Sequence, residues 1–87
     1  MAKVFVPALM RKMSDDLHVV DVPGKTLREV VNNLDQQYPG MKALIVENDK
    51  VRPGLQLAID GLLSATGLMA QVPEEAEVHI LPALGGG

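Results

Sequence analysis

Cysteine is absent from the 87 residues. That excludes disulfides, thiolate metal sites and a cysteine nucleophile. Aromatic side chains are nearly absent too: Phe5 and Tyr38 stand alone, too few for the stacking platforms of a single-strand nucleic-acid binder. Positive charge is sparse. Eight basic residues face eleven acidic ones, for a net charge of −3. The basic residues are scattered singly apart from Arg11-Lys12. Without a basic stripe there is nothing to follow a phosphate backbone, and no nucleic-acid partner is expected. Long apolar runs are missing as well, none approaching the ~20 residues of a membrane span. The opening Met1-Ala2-Lys3-Val4-Phe5-Val6-Pro7 has a faint look of a secretory leader. Pro7, Arg11 and Lys12 cut its apolar stretch short and put the charges in the wrong order. The expectation is a cytoplasmic protein with no membrane partner.

What is present is aliphatic. Hydrophobic residues make up 47% of the chain, enough for one small core in one domain. Lys3 to Leu9 reads as a strand that Pro7 confines to an edge or an end. Ser14-Asp15-Asp16 reads as a turn, and Leu17 to Val22 as a second strand with Val20 and Val22 inward. Thr26 and Glu29 have capping-box spacing. Behind them Leu27, Val30, Val31, Leu34 and Tyr38 form one helical stripe, which Pro39-Gly40 ends. Met41 to Val46 fits either a helical turn or a short strand. Glu47 to Lys50 reads as a polar loop. Leu55, Leu57 and Ile59 alternate as a strand closed by a tight turn at Asp60-Gly61. Leu68 to Val72 fits a short helical turn or an irregular crossing. The last strand is read from Glu77 to Leu84, with Val78 and Ile80 inward and His79 and Leu81 outward. One helix must then cover one face of a mixed sheet of four or five strands, a two-layer α+β domain. Residues 1–84 form the domain, and residues 85–87 a glycine tail.

That tail is the feature a fold has least use for. Gly85-Gly86-Gly87 bury no side chain and lose much backbone entropy when ordered. Three residues reach at most roughly 10 Å when extended, thin enough to enter another protein's active site. Pro82 has no N–H for a sheet ladder and is expected to end the strand, so that everything beyond it projects. Other candidates are weaker. His18 and His79 are isolated and read as plain strand or surface histidines, with no metal site. Ser14, Ser64 and Thr66 have no triad context. Met10, Met13, Met41 and Met69 read as core gap-fillers. Glu74, Glu75 and Glu77 read as a solvated turn.

Four segments together resemble the small sulfur-carrier proteins of the MoaD/ThiS family. They are Val4-Phe5-Val6-Pro7, the run Val20 to Leu27 leading into the helix, Tyr38-Pro39-Gly40, and Val78 to Gly87. Gly85 stands where that family usually has a small residue such as alanine. The resemblance implies a ubiquitin-like β-grasp fold and a protein cosubstrate rather than an enzyme. It implies that Gly87 is the reacting residue, adenylated by a ubiquitin-activating-like enzyme and converted to a thiocarboxylate. Gly85 and Gly86 would be the tail, and Leu81, Pro82, Ala83 and Leu84 the docking surface at its root. No cofactor would be bound. ATP and a sulfur donor would act through the activating partner, and a sulfur-accepting synthase subunit would be the second partner. Molybdopterin biosynthesis is the first choice of pathway, with the chain either held as the small subunit of a synthase or cycling freely between partners. The alternatives are a ubiquitin-like modifier joined through Gly87 to lysines, and a β-grasp interaction module whose tail is incidental.

Overall fold

The computed structural model describes residues 1–82. Strand β1 spans Ala2–Phe5 and β2 spans Val19–Val22. Between them Ala8–Ser14 forms a 3₁₀ helix, so the first strand is shorter than the sequence suggests. Pro7 has extended backbone and turns the chain out of the sheet, and Met10 donates its N–H back to the Pro7 carbonyl at 2.9 Å. Buried Ser14 locks the far end: its hydroxyl contacts the carbonyl oxygens of Arg11 and Leu17 at 3.2 and 2.9 Å.

Helix α1 covers Leu27–Gln37. Its start follows from Thr26, whose Oγ1 accepts the Glu29 N–H. The Glu29 carboxylate returns to the N–H of Lys25 at 2.9 Å, one residue earlier than in the usual reciprocal cap. Leu27, Val30, Val31 and Leu34 are all buried, as their spacing predicts. Gly24 lets this helix approach the chain that precedes it. A Cβ there would lie 2.7 Å from the Val30 backbone nitrogen, a collision no side-chain rotation relieves.

Beyond Pro39-Gly40, Met41–Ile45 forms a short helix, α2, which settles the ambiguity of that segment. Val46–Glu47 (β3) and Lys50–Val51 (β4) then pair as a separate hairpin where a loop was expected. Its two-residue turn holds Asn48 at φ 52° and Asp49 at φ 63°, the doubly left-handed geometry that matches the twist of a hairpin. Strand β5, Leu55–Ile59, turns at Asp60-Gly61 into β6, Leu62–Leu63. A 3₁₀ turn at Gly67–Met69 leads back to β7, Glu77–Pro82. Leu68 is buried there, but Met69 is 76% exposed and fills no gap in the core.

The main sheet has five strands in the order β2-β1-β7-β5-β6. The final strand therefore lies in the middle, parallel to β1 and antiparallel to β5. Pro82 does not end the strand before itself. It sits opposite Leu55 as the last described member of β7. A single apolar cluster joins the helix layer to Val4, Val20, Val22, Val78 and Ile80 of the sheet. This is the mixed-sheet, one-main-helix architecture of the ubiquitin-like β-grasp.

Candidate functional site

Strand alternation gives the sheet a second face. Residues paired across a sheet point to the same side, so the register fixes the composition of that face. One transverse row crosses all five strands. Val19 pairs with Phe5, Phe5 with His79, His79 with Ala58, and Ala58 with Leu63. The row is apolar or aromatic throughout. Val19 is 40% and Leu63 57% exposed, and Phe5 is half-buried. The Phe5 and His79 rings stack, with centroids 4.2 Å apart and planes inclined by 8°. Ala58 is buried between its larger neighbours.

On one side of this row the face turns polar. Asp21, Lys3 and Glu77 pair across β2, β1 and β7, and Lys3 Nζ lies 3.5 Å from Asp21 Oδ1. Glu77 Oε1 also lies 3.5 Å from His79 Nε2. On the other side lies Leu81, opposite Gln56, and one residue further Pro82 pairs with Leu55, on the side that alternation shares with Ile80. Leu81 is 37% exposed, on the side of the strand away from buried Ile80. The open face thus runs from a charged row to an apolar row to the point where β7 leads into residues 83–87.

Of the expected site residues, the structure places Leu81 and Pro82 together at this rim. Ala83, Leu84, Gly85, Gly86 and Gly87 lie outside the described residues. Among the described residues, no group of three His, Cys, Asp or Glu side chains could hold a metal ion, and no helix is long and apolar enough to cross a membrane.

The open face holds residues that the sequence did not single out. Phe5, Val19 and Leu63 belong to it as much as Leu81 does. The alternation of Lys3 and Phe5 against Val4 and Val6 carried a signal for Phe5. Nothing local carried one for Leu63, because its position depends on which strands are neighbours.

A five-stranded mixed sheet under one main helix, with its last strand central, defines a ubiquitin-like β-grasp protein. Residues 4–87 match the model of the ThiS family, and the chain belongs to that family of small sulfur carriers. Among solved structures, a chain of the Amycolatopsis orientalis BexX/CysO complex is 25% identical. It superposes with a TM-score of 0.92 over 100% of both chains. CysO of Mycobacterium tuberculosis, described as an antigen, is 21% identical with a TM-score of 0.90, over 97% of this chain and 100% of that one. Small archaeal modifier protein 1 from Methanosarcina acetivorans is 23% identical with a TM-score of 0.80, over 99% of this chain and 95% of that one. The last two likenesses speak to fold alone. A comparison with curated protein sequences finds no match.

Proposed function

We propose that this chain carries sulfur as a thiocarboxylate on Gly87. The observation that carries the proposal is the family match, which runs from β1 through the glycine run. The fold supports it: the strand that precedes the glycines is the central one, held by hydrogen-bonded neighbours on both sides. A tail rooted there presents its end from a firm base.

A free carboxylate resists attack because its charge repels nucleophiles and its oxygen leaves poorly. In the proposed cycle a Gly87 carboxylate oxygen attacks the α-phosphorus of ATP in the partner's active site. Pyrophosphate leaves, and the acyl adenylate forms. Hydrosulfide then attacks the acyl carbon, AMP leaves with the bridging oxygen, and the thiocarboxylate remains. On delivery the sulfur passes to an acceptor and water restores the carboxylate. The chain supplies a reacting terminus and a docking surface, and the activating enzyme supplies the catalysis. This makes the protein a cosubstrate of cytoplasmic chemistry. Leu81 and Pro82, with Ala83 and Leu84, form the root of the docking surface. The acceptor is a cofactor- or metabolite-forming synthase subunit, with molybdopterin synthase the first to assay.

Intact-mass measurement tests this. After incubation with the cognate adenylating enzyme, MgATP and sulfide, one oxygen should be exchanged for one sulfur, at Gly87. A modification elsewhere overturns the assignment, and an isopeptide adduct with other proteins makes the chain a modifier instead.

A further inference from the structure

The two edges of the main sheet differ in what meets their backbone. At β2, Gln37 Nε2 donates to the Asp21 carbonyl at 3.3 Å and Asn33 Nδ2 to the Pro23 carbonyl at 2.8 Å. Helix α1 thus lays two side chains over that edge, which blunts it against a further strand. At the other edge, β6, the neighbouring side-chain bonds run elsewhere. Ser64 Oγ donates to the Gly67 carbonyl at 2.9 Å, and Asp60 Oδ1 accepts the Glu77 N–H at 2.9 Å. Ser64 also donates its N–H to the Leu57 carbonyl at 2.9 Å, towards β5. Backbone groups alternate in direction along an antiparallel strand, so Leu63, one residue earlier, turns its own N–H and C=O outward.

This edge is apolar and uncharged. Leu62 is 74% and Leu63 57% exposed. They point to opposite faces of the sheet. A partner on one face covers only one of them, whereas a strand laid along the edge lies beside both. Across residues 53–73 Asp60 is the one charged residue, and the Glu77 N–H already engages its carboxylate. A groove of ≈ 200 Å³ beside β6, walled by Val51, Leu55, Leu57 and Leu63, has no charged side chain in its lining. A two-fold contact sets every group of a patch against its own copy, so that any charge in the patch meets its like. With a net charge of −3 on each copy, self-contact is opposed over much of the surface. The β6 edge is free of that opposition.

We propose that β6 pairs antiparallel with β6 of a second copy of this chain, centred on Leu63, and so joins the two five-stranded sheets into one. Each Leu63 N–H donates to the Leu63 carbonyl of the other copy. The two Leu63 side chains lie opposite each other on one face, and each Leu62 lies beside the other copy's Ser64. Each copy brings a strand of only two residues, so the contact is small and the dimer transient. This pairing does not rest on the carrier reading. Pro82 lies two strands from β6, opposite Leu55, which leaves the end of β7 outside the contact.

The test is sedimentation velocity on the full chain from about 10 μM to about 1 mM, the range in which so small a contact associates. The average mass should climb from monomer towards dimer across the series. Leu63→Pro removes the outward N–H, which the ladder to β5 does not use. It should keep the parent's circular dichroism and stay monomeric throughout. Leu63→Lys and Leu63→Glu each set like charges opposite one another and should each be monomeric alone. Mixed in equal amounts they should form the dimer again, because position 63 then faces its opposite charge. The mixture also decides the matter should Leu63→Pro fail to fold. Leu9→Lys is the control. Leu9 is 98% exposed on the 3₁₀ helix between β1 and β2, away from β6, and its variant should associate as the parent does. A parent that stays monomeric to the top of the series overturns the pairing and leaves the edge to some other protein. Dimers of folded Leu63→Pro, a mixture that stays monomeric, or equal loss in Leu9→Lys overturn it too.

Discussion

Val78 and His79 are neighbours on one strand but belong to different environments. Val78 and Ile80 are sealed with Val4, Val20 and Val22 in the apolar cluster beneath the helix layer. His79 and Leu81 look out from the opposite side, with Phe5, Val19 and Leu63. Both faces of the sheet are apolar at this end, and the helix layer closes only one. The covered face explains why the chain folds. The open face leaves an apolar row to water, and such a row gains stability only when something covers it. Near-identical side-chain chemistry thus does two jobs, and the pleat alone decides which.

The sharpest way to break this contrast is to put the same charge on each face. Ile80→Asp places an unpaired carboxylate in the core and should cost on the order of 4 kcal/mol or more, enough to leave the chain largely unfolded by circular dichroism. Leu34→Ala attacks the covering layer instead. It removes a buried helix side chain from the shared cluster and should lower the unfolding free energy by about 3 kcal/mol in urea titration. Thr26→Ala loosens the start of that layer by deleting the acceptor for the Glu29 N–H, at about 1 kcal/mol by the same titration.

Leu81→Asp belongs to the open face and should change stability by no more than about 0.5 kcal/mol. Its effect should appear in partner binding, as weaker affinity for the adenylating enzyme in calorimetry. If Leu81→Asp melts the fold as badly as Ile80→Asp, the two faces are not distinct.

The smallest effect lies away from both faces. Arg28 donates to Asp49 and holds its carboxyl below the usual range. The folded value is depressed, so this stabilisation is present at neutral pH and is lost as pH falls through the folded value. The pair is exposed and screened. Asp49→Asn should therefore differ only slightly from the parent at neutral pH, and the urea midpoints should converge once Asp49 is protonated.

Much of the covered face was legible in the sequence, because its signals are local. The stripe from Leu27 to Leu34 repeats at helical spacing, Thr26 announces the cap, and Val78 and Ile80 alternate with polar neighbours. Two segments misled. Val6-Pro7-Ala8-Leu9 is apolar enough to read as more strand. The bonds that curl Ala8–Ser14 involve Ser14 and Pro7 at opposite ends of the segment, which propensity does not register. Asn48-Asp49 lacks the glycine that usually marks a tight hairpin, so β3 and β4 passed for loop. The open face was only partly legible for a further reason. Its row is assembled from five strands, and which strand lies beside which is decided by the fold as a whole. Leu81 could be assigned to the open face from alternation alone, whereas Leu63 could not.

The central place of β7 also bears on how the protein is made. Its partners include β1, so Lys3 meets Glu77 from the opposite end of the chain. On a ribosome, β1 and β2 emerge early but the sheet stays split into β2-β1 and β5-β6 until the last strand arrives to bridge them. A chain cut short before β7 lacks the strand that joins the two halves of the sheet. Completion of the fold therefore requires that translation has passed beyond Glu77.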